Sequence, residues 1–201
     1  MIVSQLEPQK KRSTRYNLYL DGEFFEGLDE STVALFRLYV GKELTEDDCN
    51  EIRACEVAER LHARMIWYLG RYRKTVAEAR RYILDLEYSS QAADEEIKRL
   101  REYKFLDDRS FAQDFVSSNT TYGSRMLRQK LALKGIPRDI IDETIGEDDT
   151  DALYRIAVKK WKSLKDKPKA VEKLMRFCIG RGFSYDDIRN VVQLVEKDDS
   201  E

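Results

Sequence analysis

Three stretches of the chain repeat one pattern in one order about 47 residues apart, and that period restricts the folds open to it. Leu127, Leu131, Gly135, Ile136, Ile141 and Ile145 are matched by Leu174, Cys178, Gly182, Phe183, Ile188 and Val192, each 47 residues further on. Each set reads as an apolar helical face, a glycine stop with an apolar residue behind it, and a second helical face. A looser copy runs through Ala79, Ile83, Glu87 and Tyr88 to Ile97, after a slightly longer connection. Self-similarity at this period predicts stacked helical units, not one closed globule. Such units offer a long surface, suited to large partners.

Charge does not announce a polyanion. Charged residues make up 37% of the 201 positions, yet the formal net charge is only -2, so no global positive field draws the chain to nucleic acid. The charge is clustered: Arg71, Arg73, Lys74, Arg80 and Arg81 form one basic group, and Lys159, Lys160, Lys162, Lys165, Lys167 and Lys169 another. Glu46, Asp47, Asp48 and Glu51 are acidic, as is the tail with Asp198, Asp199 and Glu201. Cys49, Cys55 and Cys178 show no paired spacing, which predicts reduced thiols and a cytoplasmic setting. No segment has membrane-spanning length, and polar sequence after Met1-Ile2-Val3 gives no expectation of a signal peptide.

The chain opens differently from its repeats. The run Pro8-Gln9-Lys10-Lys11-Arg12 has nothing to bury, so the first dozen residues are expected to be mobile. Tyr16 to Leu20 alternates, breaks at Asp21-Gly22 and resumes at Glu23 to Glu26, which predicts a β-hairpin. Two strands are marginal alone, so a helix over Ser31–Tyr39, ending at Gly41, is expected to cover them. Thr45 with Asp48, and Thr75 with Glu78, read as capping boxes. The expected organisation is a hairpin-and-helix region over 1–50 and three-helix units over 51–105, 106–147 and 148–201: a mainly α fold of three tandem three-helix repeats in an elongated, curved array.

Catalysis has no residues to carry it. The single histidine, His62, shares a helical face with Met65 and Ile66 and reads as a packing or boundary residue. Asp107-Asp108 and Asp186-Asp187 each open a helix and read as caps rather than as metal or acid–base pairs. Gly180-Arg181-Gly182 ends a helix, where a phosphate loop would start one. Tyr68, Tyr72, Tyr82 and Tyr103 could stack on bases, but helical spacing favours core or boundary positions. Basic residues off the apolar faces, repeated from unit to unit, would line a strip facing a polyanion or an acidic protein groove.

Four motifs resemble one family. Tyr16-Asn17-Leu18-Tyr19-Leu20-Asp21-Gly22-Glu23 resembles the N-terminal hairpin of Gram-positive members of the RecX family, regulators of the RecA recombinase. Leu100 to Ala112 (LREYKFLDDRSFA) looks like the family's signature between repeats one and two. Gly123 to Leu131 (GSRMLRQKL), with Lys134-Gly135-Ile136, resembles its most recognisable helix, and Arg181 to Ile188 (RGFSYDDI) its C-terminal ending. Two positions depart from the family pattern: Glu87-Tyr88 stands where a glycine–aromatic pair is common, and Lys104 precedes Phe105 where glycine is usual.

The resemblance implies three helical repeats, no enzyme activity and no cofactor or metal. It implies binding to the RecA filament, with single-stranded DNA inside it, and damping of ATPase, strand exchange and coprotease functions in DNA repair and the SOS response. The chain is expected to act as a monomer, away from membranes. Candidate contacts are Arg71, Arg73, Lys74, Arg80, Arg81, Arg125, Arg128, Lys134, Lys173, Arg176 and Arg181. The alternatives are a direct single-stranded DNA binder and a general protein-binding scaffold.

Overall fold

The computed structural model describes residues 1–10, 12–146 and 149–198; Lys11 and the tail carboxylates Asp199 and Glu201 lie outside them. The chain divides into two compact units, Met1–Tyr72 with Glu87–Lys98, and Arg73–Leu86 with Arg99–Glu201. Among the described residues no helix is long and apolar enough to cross a membrane.

The first unit begins with a three-stranded antiparallel sheet in the order β1 (Val3–Gln9), β2 (Arg12–Leu20), β3 (Glu23–Asp29). The hairpin between β2 and β3 turns at Asp21 and Gly22, whose φ values of 48° and 91° are those the Asp-Gly signal requires. The expectation of a mobile start is corrected: Val3 to Gln9 is a paired edge strand. Val3 is fully buried, and the Met1 ammonium donates to the Leu44 carbonyl at 3.0 Å. Only Val3 and Leu6 mark this strand as apolar, and an edge position tolerates Pro8, which has no N–H to give.

Helix α1 (Glu30–Leu35) follows, capped by Asp29 and shorter than expected, because Arg37 turns left-handed at φ 47°. Helix α2 (Glu46–Leu69) starts at the Thr45–Asp48 capping box. From it the buried Glu56 accepts from Arg15 at 2.6 Å and from the Asp29 N–H at 2.8 Å, tying sheet to helix. His62 Nδ1 lies 2.8 Å from Glu96 Oε1, so the lone histidine is a half-buried boundary residue.

Helices continue with α3 (Val76–Asp85), α4 (Ser90–Glu102), α5 (Asp108–Ser118), α6 (Ser124–Leu133), α7 (Arg138–Thr144), α8 (Thr150–Trp161), α9 (Ala170–Ile179) and α10 (Tyr185–Asp198). The sequence register survives in the packing. Leu127, Leu131, Ile136, Ile141 and Ile145 are all buried, and so are Leu174, Cys178, Phe183, Ile188 and Val192. Each such side chain contributes about 1.5–3 kcal/mol. Gly135 and Gly182 hold the same left-handed turn at φ 77° and 87°, ending α6 and α9 alike. The looser copy obeys the frame at an offset of 48: Ala79, Ile83, Ala93 and Ile97 are buried, and Glu87 takes the glycine's place at φ 65°. Lys104 does the same at φ 61°. Where the family pattern prefers glycine, this chain keeps the left-handed turn and accepts a side chain in it.

Successive triplets are joined by one repeated device. The first N–H of α3, from Val76, donates to the Asp108 carboxylate of α5 at 2.9 Å. The first N–H of α6, from Ser124, donates to the Asp149 carboxylate before α8 at 2.6 Å. Thr75 Oγ1 donates to the Lys134 carbonyl at 2.7 Å, and the Gly123 N–H donates to the Arg181 carbonyl at 2.9 Å. Thr75 and Gly123 are 48 residues apart, and Lys134 and Arg181 are 47 apart, so residues at matching register meet in both joints, through a side-chain hydroxyl in the first and a backbone N–H in the second. In each joint a helix N-terminus is capped by the triplet that follows. Gly123 itself cannot cap α6, and it cannot be larger: a Cβ there would lie 2.7 Å from the Gly182 carbonyl oxygen.

The Gly123 contact sets a stability expectation. Gly123→Ala should lose about 1–3 kcal/mol by forcing this joint apart, while Gly146→Ala, where a Cβ meets open space, should stay within about 0.5 kcal/mol of wild type. Urea unfolding of both variants checks it; equal losses would place the constraint elsewhere.

Asp108 gives a pH expectation. Burial raises its carboxyl above the ordinary 3.8, and the Val76 N–H only partly offsets this. A folded value above the unfolded one contributes stability below pH 3.8 that is lost as pH rises through the folded value. Asp108→Asn keeps the acceptor and cannot ionise, so its Tm relative to wild type should rise between about pH 3 and pH 7. Asp108→Ala, which cannot ionise either, should lose about 1 kcal/mol at about pH 3 through the missing acceptor and less at about pH 7. A pH-independent Tm offset for Asp108→Asn would contradict the assignment.

Candidate functional site

The basic residues singled out in the sequence fall into two groups once their partners are known. One group holds the fold. Arg73 pairs with Asp114 and donates to Ser110 Oγ at 2.9 Å. Arg128 pairs with Asp142 across α6 and α7 and donates to the Ile145 carbonyl at 3.1 Å. Lys134 reaches Glu78 Oε1 at 3.0 Å beside the first joint and lies 5.4 Å over the Phe111 ring. Burial pushes the Glu78 carboxyl up, but the Thr75 N–H and the Lys134 ammonium outweigh it, so the group stays below its ordinary value. Arg181 stacks 4.9 Å over Phe177 and 5.5 Å over Tyr122 beside the second joint. Lys74 and Arg80 are half-buried and hold interactions of their own.

The other group is free. Arg81 on α3, Arg125 on α6, and Lys173 and Arg176 on α9 are exposed, and among the described residues they make no ion pair. These are the middle helices of successive triplets. By sequence register α3, α6 and α9 are equivalent elements of one repeat. Arg81, Gln129 and Arg176 share one register position. Arg125 and Lys173 lie one residue apart in that register, still on the exposed faces of their helices.

Arg71 stands apart from these helices. It belongs to the first unit, where its guanidinium lies 4.8 Å over the Trp67 ring while Arg64 lies 5.1 Å over the same ring. Trp67, 54% exposed, was not singled out by sequence; its signal is a tryptophan with one arginine three residues before it on α2 and another four residues after it, just past the helix end. Of the four tyrosines, Tyr68 and Tyr82 are half-buried as spacing predicts, but Tyr72 and Tyr103 are exposed because both follow a helix end.

Asp107 caps α5, Asp108 serves the head of α3, and Asp187 pairs with the capping Ser184. Asp107 accepts from the Ser110 N–H at 3.0 Å, and Asp187 accepts from Ser184 Oγ at 2.5 Å at the head of α10. Asp149 stands at the N-cap of α8 yet makes no side-chain bond there; its carboxylate serves α6 instead. Among the described residues no three histidine, cysteine or carboxylate side chains gather as metal ligands. Cys49, Cys55 and Cys178 are free thiols, and burial pushes the Cys178 thiol up to about 11, which leaves it unreactive.

Comparison with known proteins agrees with this architecture. Family models match three segments: the regulatory protein RecX N-terminal domain over residues 1–45, the RecX second three-helix domain over 107–145 and the RecX third three-helix domain over 147–192. The regulatory protein RecX of Clostridium tetani is 27% identical over 199 residues, covering 94% of this chain and 92% of the relative. That of Lactobacillus gasseri is 31% identical over 163 residues, 80% of this chain and 57% of the relative. A crystal structure of regulatory protein RecX superposes with a TM-score of 0.79 at 25% identity, covering 98% of each chain. RecX from Lactobacillus salivarius shares the fold at a TM-score of 0.62 and 18% identity, over 69% of this chain and 96% of that one. With its N-terminal domain and its second and third three-helix domains matched, and its fold shared over 98% of the chain, the chain belongs to the RecX family of regulatory proteins.

Proposed function

We propose that this protein is a non-enzymatic modulator of the RecA recombinase, acting as a cytoplasmic monomer. It lies in the groove of the RecA filament on single-stranded DNA and damps ATPase, strand exchange and coprotease activity. The observation that carries this reading is the division of the cations. Arg128 and Lys134 have their charge neutralised by Asp142 and Glu78, whereas Arg81, Arg125, Lys173 and Arg176 stand exposed, without ion pairs among the described residues, on α3, α6 and α9. Free cations repeated along one unit suit a target that itself repeats, where several weak contacts add through multivalency. Action by contact also fits a chain whose clustered carboxylates cap helices and whose buried thiols are inert. The working units of that surface are the three-helix repeats proposed for 51–105, 106–147 and 148–201, after the N-terminal region 1–50.

The test is RecA's single-stranded-DNA-dependent ATPase. Wild-type protein should lower the rate in a dose-dependent way, and an unchanged rate at saturation would refute the proposal. Arg125→Glu with Arg176→Glu should raise the concentration needed at least tenfold, at an unchanged Tm. Arg128→Ala should do the reverse, losing about 1 kcal/mol of stability with its ion pair and carbonyl bond while inhibiting normally below its melting temperature. If all these variants inhibit like wild type, the free cations are bystanders.

A further inference from the structure

Helix α2 carries a stripe that the core does not account for. Glu56, Arg60, Arg64 and Trp67 follow one another at spacings of four, four and three, and Arg71 comes four residues later, just past the helix end. Such spacings keep side chains on one face. At its start the stripe is fixed: the Glu56 side chain is fully buried and pairs with Arg15 at 2.6 Å and with Arg60 at 3.9 Å. At its end it is open. Trp67 is 54% exposed, while Leu61 and Met65 supply the buried face of the helix. Between these ends lies a cleft of about 410 Å³, whose lining includes Arg15 of β2, Asp29 at the end of β3, and Glu59, Arg60, Arg64 and Trp67 of α2, all within the first unit. That volume falls in the range of small-molecule sites.

We infer that this cleft binds a purine ribonucleotide, as a free nucleoside phosphate and not as part of a nucleic-acid strand. Three chemistries meet in it. The Trp67 ring, with the Arg64 and Arg71 guanidinium groups 5.1 and 4.8 Å from its centre, is a cationic stacking platform, and a base stacks on an indole or on a guanidinium plane alike. A purine offers it the larger face. Arg15 and Arg60 carry N–H donors for phosphate oxygens beyond those that Glu56 and the Gly27 carbonyl take up. Asp29 and Glu59 add carboxylates. Asp29 uses Oδ1 to cap α1, so Oδ2 can accept from a ligand. Carboxylates lining a cleft repel the continuous phosphate backbone of a strand, but they accept from the hydroxyls of a ribose. The inference is independent of the filament reading, whose cations lie on α3, α6 and α9 in the second unit.

The experiment uses the full chain carrying Trp161→Phe, which leaves Trp67 as its one tryptophan. Titration with ATP or GTP should quench the Trp67 fluorescence to saturation. UTP, with less ring to stack, should bind severalfold more weakly, and inorganic triphosphate, with none, at least tenfold more weakly. Calorimetry on otherwise wild-type protein should show ATP affinity falling at least tenfold in Trp67→Leu, at an exposed site and an unchanged Tm, and severalfold in Arg71→Ala. Glu59→Gln should narrow the preference for ATP over 2′-deoxy-ATP. Should Trp161→Phe lower the Tm, calorimetry on the wild-type chain makes the same ligand comparison. Inorganic triphosphate binding as tightly as ATP would overturn the inference by reducing the cleft to an anion site, and so would wild-type ATP affinity in Trp67→Leu. A thymidine oligonucleotide that binds more tightly than ATP, and loses as much in Trp67→Leu, would overturn it by making the platform a single-strand contact. Folded protein that binds neither ATP nor GTP would also overturn it.

Discussion

The helix triplets from α3 onward depend on one contact, the capping of a helix N-terminus by the triplet that comes next. The N–H groups at the head of α3 and of α6 have no partner within their own helices. Asp108 and Asp149 supply one acceptor each; at the first joint the Lys134 carbonyl accepts from the Thr75 hydroxyl, and at the second the Arg181 carbonyl accepts from the Gly123 N–H. Those carbonyls are in position only because Gly135 and Gly182 turn left-handed directly after them. The glycine that stops one helix therefore also presents the carbonyl that starts its neighbour. This links a local rule, that helices end at a glycine in the left-handed region, to the repeat of the whole array.

The same device decides what the charges do. Lys134 and Arg181, the residues that lend their carbonyls to the joints, also turn their side chains inward, Lys134 to Glu78 and Phe111, Arg181 to Phe177 and Tyr122. Arg128 closes α6 onto α7. These are cations of the fold, each worth at most about a kcal/mol in so exposed a setting but each aligning elements the joints already hold. Among the candidate cations, Arg81, Arg125, Lys173 and Arg176, on exposed positions of α3, α6 and α9, make no ion pair among the described residues.

Much of this was legible in the sequence because it depends on period. The 47-residue register named twelve positions, and the ten apolar ones are buried while both glycines turn at positive φ. Capping boxes at Thr45 and Thr75 followed from side-chain chemistry alone. What stayed hidden depends on partners distant in the chain. The strand Val3–Gln9 carries too little alternation to be read, and it exists because β2 and the Leu44 segment offer its backbone partners. Nothing in the sequence marks Glu56 for burial; it is a buried acceptor because Arg15 and the Asp29 N–H converge on it. For the candidate site, sequence identified the cations but could not sort them, since Arg125 and Arg128 differ only in whether a carboxylate such as Asp142 comes within reach.

The two left-handed side chains show how far the joint tolerates drift. Glu87 and Lys104 hold φ 65° and 61° where glycine would cost less, a strain of roughly 1 kcal/mol apiece. A turn kept against its residue preference is one that the surroundings dictate. At Gly182 no such substitution is open, because a Cβ there would lie 2.5 Å from the Met126 backbone nitrogen. Glycine is therefore required where a second helix packs against the turn, and dispensable where only the turn itself must form. What recurs along this chain is the path of the backbone through each joint, and a side chain is excluded from the turn only where a neighbouring helix packs against it.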